Sequence, residues 1–310
     1  MILSLALDGR GGLAALAETA RQAERAGVGL LLAGYPPGGL EGGVAPPDPA
    51  ALDPLSVASA LIGLTHGIGL AAVAPAAGWA PFNMARALSA LDNLSAGRAG
   101  WFALPGEPLD ADPDRERFAE HLQVTFALMD SWDAGAVVLD KAESIFTDPA
   151  KVHRIAYAGR HFTVDGPLNS PRSPQGRPVL LQSGSAGTEL ADILVMRPSS
   201  LDAAPGPGRA GRKLIMDLAF SLTDADIAPG AALAFAGDPE GLIALMTAWA
   251  GACDGFNLLP ARAAADTAAF ADHVAPVLRA AGLTQAPAAS GLRARLGLWP
   301  IEPPVLAAAQ

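Results

Sequence analysis

ILSLALDGRGGLAALAETARQAERAGVGLLLA, residues Ile2 to Ala33, joins two apolar runs through a helical repeat. Ile2 to Leu7 is the first run. Leu13, Leu16, Ala17, Ala20 and Ala23 then recur at three- and four-residue spacing, which puts them on one helical face. Val28 to Ala33 is apolar again, as a strand buried on both faces of a parallel sheet should be. Strand, helix, strand is the unit whose crossover helix covers the outside of a parallel sheet.

The unit repeats downstream. Asp53-Pro54 supplies an N-cap and a proline at the first helical position, predicting a helix to about Thr65, and Ile68 to Ala74 is the third strand. Pro81 to Ser95 reads as helix ended by Gly97, Ala99 to Leu104 as strand, and Asp112-Pro113 opens a longer helix reaching about Trp132. Further strands are expected at Pro178 to Gln182, Ile193 to Met196, Lys213 to Leu222 and Gly255 to Leu259, with helices at about Pro239 to Ala250 and Ala264 to Ala281. The rhythm breaks at Ala134 to Arg177, read as an insertion before the fifth strand in which Tyr157 to Val164 predicts a hairpin turning at Ala158-Gly159. It breaks again at Arg197 to Arg212, where Pro and Gly shorten the segment after the sixth strand.

Eight such strands, most followed by a helix, predict an α/β fold of the closed (β/α)8 barrel kind, with an open doubly wound sheet as the alternative. In a barrel all eight run parallel, with Leu104, Gln182 and Leu259 at the same, C-terminal, end. A chain of 310 residues suits one such domain, with a C-terminal tail from about residue 283.

Composition narrows the function. Cys253 is the sole cysteine, so an intrachain disulfide is excluded and a reducing, cytoplasmic setting is expected. MILSLALDGR lacks the basic start of a signal peptide, and Gly67 to Phe82 is broken by Pro75, Gly78 and Pro81, so no membrane segment is expected. A formal charge of −10 argues against nucleic acid and favours a small-molecule ligand.

Several motifs fail on context. GPGRAG, Gly206 to Gly211, has the letters of a dinucleotide loop but lacks the strand before it and the helix after it, so NAD is not expected there. No G-x-S-x-G elbow surrounds Ser185. His66, His121, His153, His161 and His273 have no metal-ligand spacing and read as surface or capping residues. Asp110, Asp112 and Asp114 lack the glycine and distal glutamate of a calcium loop.

GPLNSPRSPQGRPVLLQSGS, Gly166 to Ser185, carries the strongest signal: a proline-ordered approach, a buried strand and a Gly-Ser turn. Free amides and a hydroxyl there form an anion site, or Ser185 serves as an ordinary N-cap. This segment resembles the luciferase-like flavin monooxygenases, in the branch of nitrilotriacetate monooxygenase component A, the pristinamycin synthase large subunit and dibenzothiophene sulfone monooxygenase. LDPLSVASALIGLTHGIGL (Leu52 to Leu70), ARALSALDNLSAGRAGW (Ala85 to Trp101), MDSW (Met129 to Trp132), DPAKVHRIAYAGRHFTV (Asp148 to Val164) and DGFNLLP (Asp254 to Pro260) agree in order.

The resemblance implies a barrel that takes reduced FMN from a separate flavin reductase and uses O2 to oxidise a small organic substrate, commonly as a homodimer. It implies Gly184 and Ser185 at the flavin phosphate, Arg115 nearest to the family's tyrosine and able to pair with phosphate, and Gln182 and Trp101 near the barrel mouth. The sequence departs from the family where Gly34 replaces an aspartate, Pro75 to Ala77 a Ser/Thr-rich strand end, and Phe102 an asparagine. Those departures raise a second possibility, a non-catalytic homologue acting as a binding or partner subunit.

Overall fold

The computed structural model describes residues 1–40, 48–106, 109, 112–184, 188–197, 212–228, 233–284 and 291–301. Eight strands close on themselves: β1 Ile2–Leu7, β2 Leu30–Ala33, β3 Gly69–Pro75, β4 Ala99–Leu104, β5 Val179–Ser183, β6 Ile193–Met196, β7 Lys213–Ser221 and β8 Gly255–Pro260. Each pairs with its neighbour in parallel, and β8 pairs with β1 to complete the ring. The fold is the expected (β/α)8 barrel, so Leu104, Gln182 and Leu259 share its C-terminal end. A further short strand, Ala234–Ala236, adds to β7 in parallel outside the ring and had no signal in the sequence.

Local chemistry explains the element ends. The helix α1, Gly12–Ala26, stops because Gly27 takes a left-handed φ of 80°, and Val28 N–H donates back to Ala23 O at 3.0 Å. Helix α2, Pro54–Leu61, starts where the Asp53 carboxylate accepts from Ser56 N–H at 2.8 Å. Asp53→Ala should therefore lower stability by about 1 kcal/mol, the usual value of such a cap. Equilibrium urea unfolding checks this, and a loss below a few tenths of a kcal/mol would show that Pro54 alone sets the helix start.

Helices α3, Pro81–Leu94, and α4, Asp112–Met129, pack together over β3 and β4. Beyond α4 the insertion holds two antiparallel hairpins, Val137–Asp140 with Ile145–Thr147 and Tyr157–Ala158 with Thr163–Val164. The second is the expected hairpin, except that its loop runs from Gly159 to Phe162, closed by Gly159 N–H to Phe162 O at 2.9 Å. Helix α5 is Pro239–Ala248. The long last helix of the sequence reading is instead α6, Ala263–Ala269, and α7, Ala275–Ala280, joined by a π-turn at Phe270–Val274. Most of Arg197 to Arg212, including Gly206 to Gly211, lies outside the described residues.

The stretch read as a tail has a structural task. Helix α8, Leu292–Arg295, lies against the N-terminal end of the barrel, where Leu292, Leu296 and Leu298 join the core formed by the inward-facing side chains. A Cβ on Gly69 would stand 2.6 Å from Leu292 Cδ1, so the glycine admits the plug. Arg293 holds it by pairing both guanidinium arms with Asp192, at 3.0 and 2.5 Å. Among the described residues the N-terminal end of the barrel is thus filled by this helix.

Candidate functional site

Inward-facing positions of adjacent strands form a polar row below the mouth. Ser4 on β1, Asn257 on β8 and Asp217 on β7 are partners in register, and Arg197 follows the end of β6 one residue beyond the Met196–Met216 pair. Ser4 Oγ donates to Asn257 Oδ1 at 2.9 Å, and Asn257 Nδ2 donates to Asp217 Oδ1 at 2.8 Å. Tyr35, just past β2, completes the row from across the barrel: its hydroxyl lies 2.8 and 3.0 Å from the two Asp217 oxygens. Its ring meets Phe102 of β4 edge-on, with centroids 5.3 Å apart.

Burial dominates the electrostatics here. It pushes the Asp217 carboxyl up to about 6, against the opposing pull of hydrogen bonds from Asn257 and Tyr35 and the charge of Arg197. Burial and the neighbouring Asp217 likewise raise the Tyr35 phenol well above its ordinary value, so at neutral pH it is a donor. Asp217 is thus a buried acid raised toward neutrality on the inner wall of the barrel, hydrogen-bonded on both oxygens.

A loop brings Tyr35 there. Gly34 has a left-handed φ of 86°, Gly39 N–H closes a turn onto Pro36 O at 3.0 Å, and Leu40 is buried in the barrel core. Arg197 Nη2 donates to Gly38 O at 3.0 Å, and a Cβ on Gly39 would stand 2.8 Å from Asp217 Oδ2. Glycine thus lets the backbone settle against the acid.

Beside the mouth, a cleft of about 230 Å³ lies between the β3 and β4 loops, α4 and the hairpin tip, lined by Trp79, Asp114, Arg117, Phe118, His121 and Phe162 among others. His121 is not a surface residue as its sequence suggested. It is 4% exposed, and burial holds its pKa below the usual value. Its Nε2 lies 3.0 Å from Trp79 O, which makes that nitrogen the donor of a neutral ring.

The residues singled out in sequence are scattered. Gly184 follows β5 at the mouth, where a Cβ would meet Met196 Sδ at 2.0 Å, so a larger residue there would have to push that side chain aside. Ser185 lies outside the described residues. Arg115 is exposed near the start of α4, with no hydrogen-bond or ion-pair partner among the described residues. Of the two residues expected near the mouth, Gln182 lies at the C-terminal end of β5 and Trp101 midway along β4, and both side chains turn away from the barrel axis. Gln182 is fully buried and accepts from Thr188 N–H and Oγ1 at 2.9 and 2.8 Å. Trp101 packs outside the ring against α3 and α4, its Nε1 donating to Ala74 O at 3.0 Å.

Sequence comparison decides the kinship. The family described as luciferase-like monooxygenase matches residues 4–197, well over half of the chain. The chain belongs to that family. One of the subunits of pristinamycin IIA synthase from Streptomyces pristinaespiralis is 33% identical over 261 residues, covering 82% of this chain and 90% of that protein. Dibenzothiophene-sulfone monooxygenase of Rhodococcus erythropolis is 40% identical over 146 residues, 43% of this chain and 32% of the enzyme. The match thus spans about a third of that enzyme's length. Among solved structures, EDTA monooxygenase from Chelativorans sp. BNC1 superposes with a TM-score of 0.79 at 21% identity over 96% of this luciferase-like chain and 98% of its own, a likeness of fold.

The sequence reading had missed Tyr35, Asp217, Asn257, Ser4 and Arg197. One signal was available: Asp217 is the only charged residue between Leu214 and Leu222 of KLIMDLAFSL, and an acid inside a doubly buried strand needs partners.

Proposed function

We propose that this luciferase-like chain acts as a flavin-dependent monooxygenase of the two-component kind, oxidising a small organic substrate with O2 and reduced FMN supplied by a separate flavin reductase. The observation that carries the reading is a closed parallel barrel combined with a match over nearly the whole of a related synthase subunit. The flavin supplies the oxygen chemistry when bound, and the barrel's part is to orient substrate and exclude water. Gly184 and Ser185 are proposed at the flavin phosphate, with the Arg115 guanidinium as its counter-charge. Gln182 supports that turn from behind through Thr188, and Trp101 braces β4. A homodimer is the proposed assembly.

Among the described residues Tyr35 occupies part of the barrel interior that a ligand from the mouth would have to reach. Tyr35 is 1% exposed and crosses the barrel to Asp217, with Phe102 beneath it. That observation favours a second reading, a non-catalytic partner subunit, and the relative that matches over most of its length is by name a subunit of a synthase.

Titration of the purified protein with oxidised and reduced FMN, followed by flavin fluorescence, tests the first reading. Ser185→Ala is expected to weaken reduced FMN by roughly 1–2 kcal/mol, the value of one hydroxyl hydrogen bond. Arg115→Ala should weaken it more, by an amount that shrinks as salt is added. No affinity below millimolar in the wild type, or no response to either substitution, would rule out the monooxygenase reading in favour of the partner subunit.

A further inference from the structure

We propose that Tyr35 is a latch that decides how far the barrel admits a planar ligand from its mouth, closed onto Asp217 and tethered by Arg197. The inference rests on the flavin reading for the identity of the ligand, but its geometry is independent of it. Tyr35 leaves the chain beside β2, yet its hydroxyl is bonded to β7, three strands round the ring, and its ring packs in a T-shaped contact with Phe102 of β4. A side chain held from three strands occupies the centre of a barrel whose other end α8 already seals.

The loop that carries it is built to come down and be held there. Gly34 and Gly39 both take left-handed φ angles, 86° and 78°, at the two ends of the Tyr35-Pro36-Pro37-Gly38 segment. The two prolines keep that segment stiff, so it moves as one piece about the glycines. The Arg197 guanidinium grips Gly38 O on the segment and lies 4.0 Å from Asp217 on the wall. Leu40 enters the same core, which sets the downstream end. Phe102, fully buried in the inner core, makes the floor beside Tyr35 apolar, which suits its ring better than a polar ligand edge.

The latch costs affinity, because any ligand reaching the centre must first displace Tyr35 and strip Asp217 of a donor. Tyr35→Ala is expected to tighten FMN at least about ten-fold, and Tyr35→Phe, which keeps the ring but frees it from Asp217, by several-fold. Affinity for oxidised and photoreduced FMN is read by fluorescence and by equilibrium dialysis, with circular dichroism melts confirming that each variant is folded. Tyr35→Phe is nearly isosteric and keeps the test intact where the alanine variant fails to fold.

Wild-type binding with tightening in both variants supports the latch and the monooxygenase reading together. Binding by the variants alone supports the latch and assigns the wild type to the partner-subunit reading. Wild-type binding unchanged or weakened by the substitutions overturns the latch and leaves the monooxygenase reading standing. No binding in any of the three proteins overturns both.

Discussion

Replacing Asp130 by alanine is expected to destabilise the protein by about 3–5 kcal/mol, the range for breaking a buried ion pair by removing one partner. Asp130 follows the last residue of α4 and is 2% exposed. Arg177 donates to its Oδ2 through Nε at 2.8 Å and again through Nη2, and Arg172 Nη1 reaches Oδ1 at 3.3 Å. Arg177 also lies over the Phe126 ring, 5.2 Å from its centroid, so its edge and one of its faces are committed. Without the carboxylate, two largely covered guanidinium groups face each other unpaired. Arg172 and Arg177 belong to the segment that feeds β5, so the same change should loosen the strand leading to Gly184. Urea unfolding with an unchanged denaturant slope is the measurement. A loss below about 1 kcal/mol would mean that water reaches the site and the pair behaves as a surface one.

The second large effect depends on pH. Asp217 titrates near 6 in the folded chain against an ordinary 3.8, so between those values the folded protein holds a proton that the unfolded chain releases. Stability therefore falls as pH rises through that window, and above it the buried charge leaves the fold roughly 3 kcal/mol less stable than it would be with the acid neutral. Asp217→Asn cannot ionise and lacks this dependence. Measured by urea midpoints, the stability of the variant relative to wild type should move in the variant's favour by roughly that amount between about pH 4 and about pH 7. The offset at low pH reports the hydrogen bonds from Tyr35 and Asn257 that an amide accepts less well. A difference that stays constant across the range would show that Asp217 is ionised at an ordinary pKa and that its burial is relieved by water.

Such a position is retained at a penalty that a leucine or an asparagine would avoid. Among the described residues its side-chain donors are the Tyr35 hydroxyl and the Asn257 amide, which places this buried polar cluster midway along the inner wall of the barrel.

The elements of the barrel were legible in the chain because they are made locally. Apolar runs of strand length, helical spacing in Leu16, Ala20 and Ala23, and the Asp53 cap each act within a few residues, and the apolar runs place all eight strands to within two residues at either end. The site was not legible, for a physical reason that the same strands supply. A strand buried on both faces carries no polar alternation, so nothing in WFAL or VLLQS says which side chains point to the axis and which to the helices. Closure of the ring decides that: it turns Trp101 and Gln182 outward, Phe102 and Asp217 inward. It also brings Tyr35 to Asp217 across 182 residues of chain. The sequence by itself determined the barrel, through short-range periodicity and caps, and its kinship, through the motifs of Gly166 to Ser185 and their companions; only the tertiary structure decided what fills the barrel's centre, since that depends on residues far apart in the chain that closure of the ring brings together.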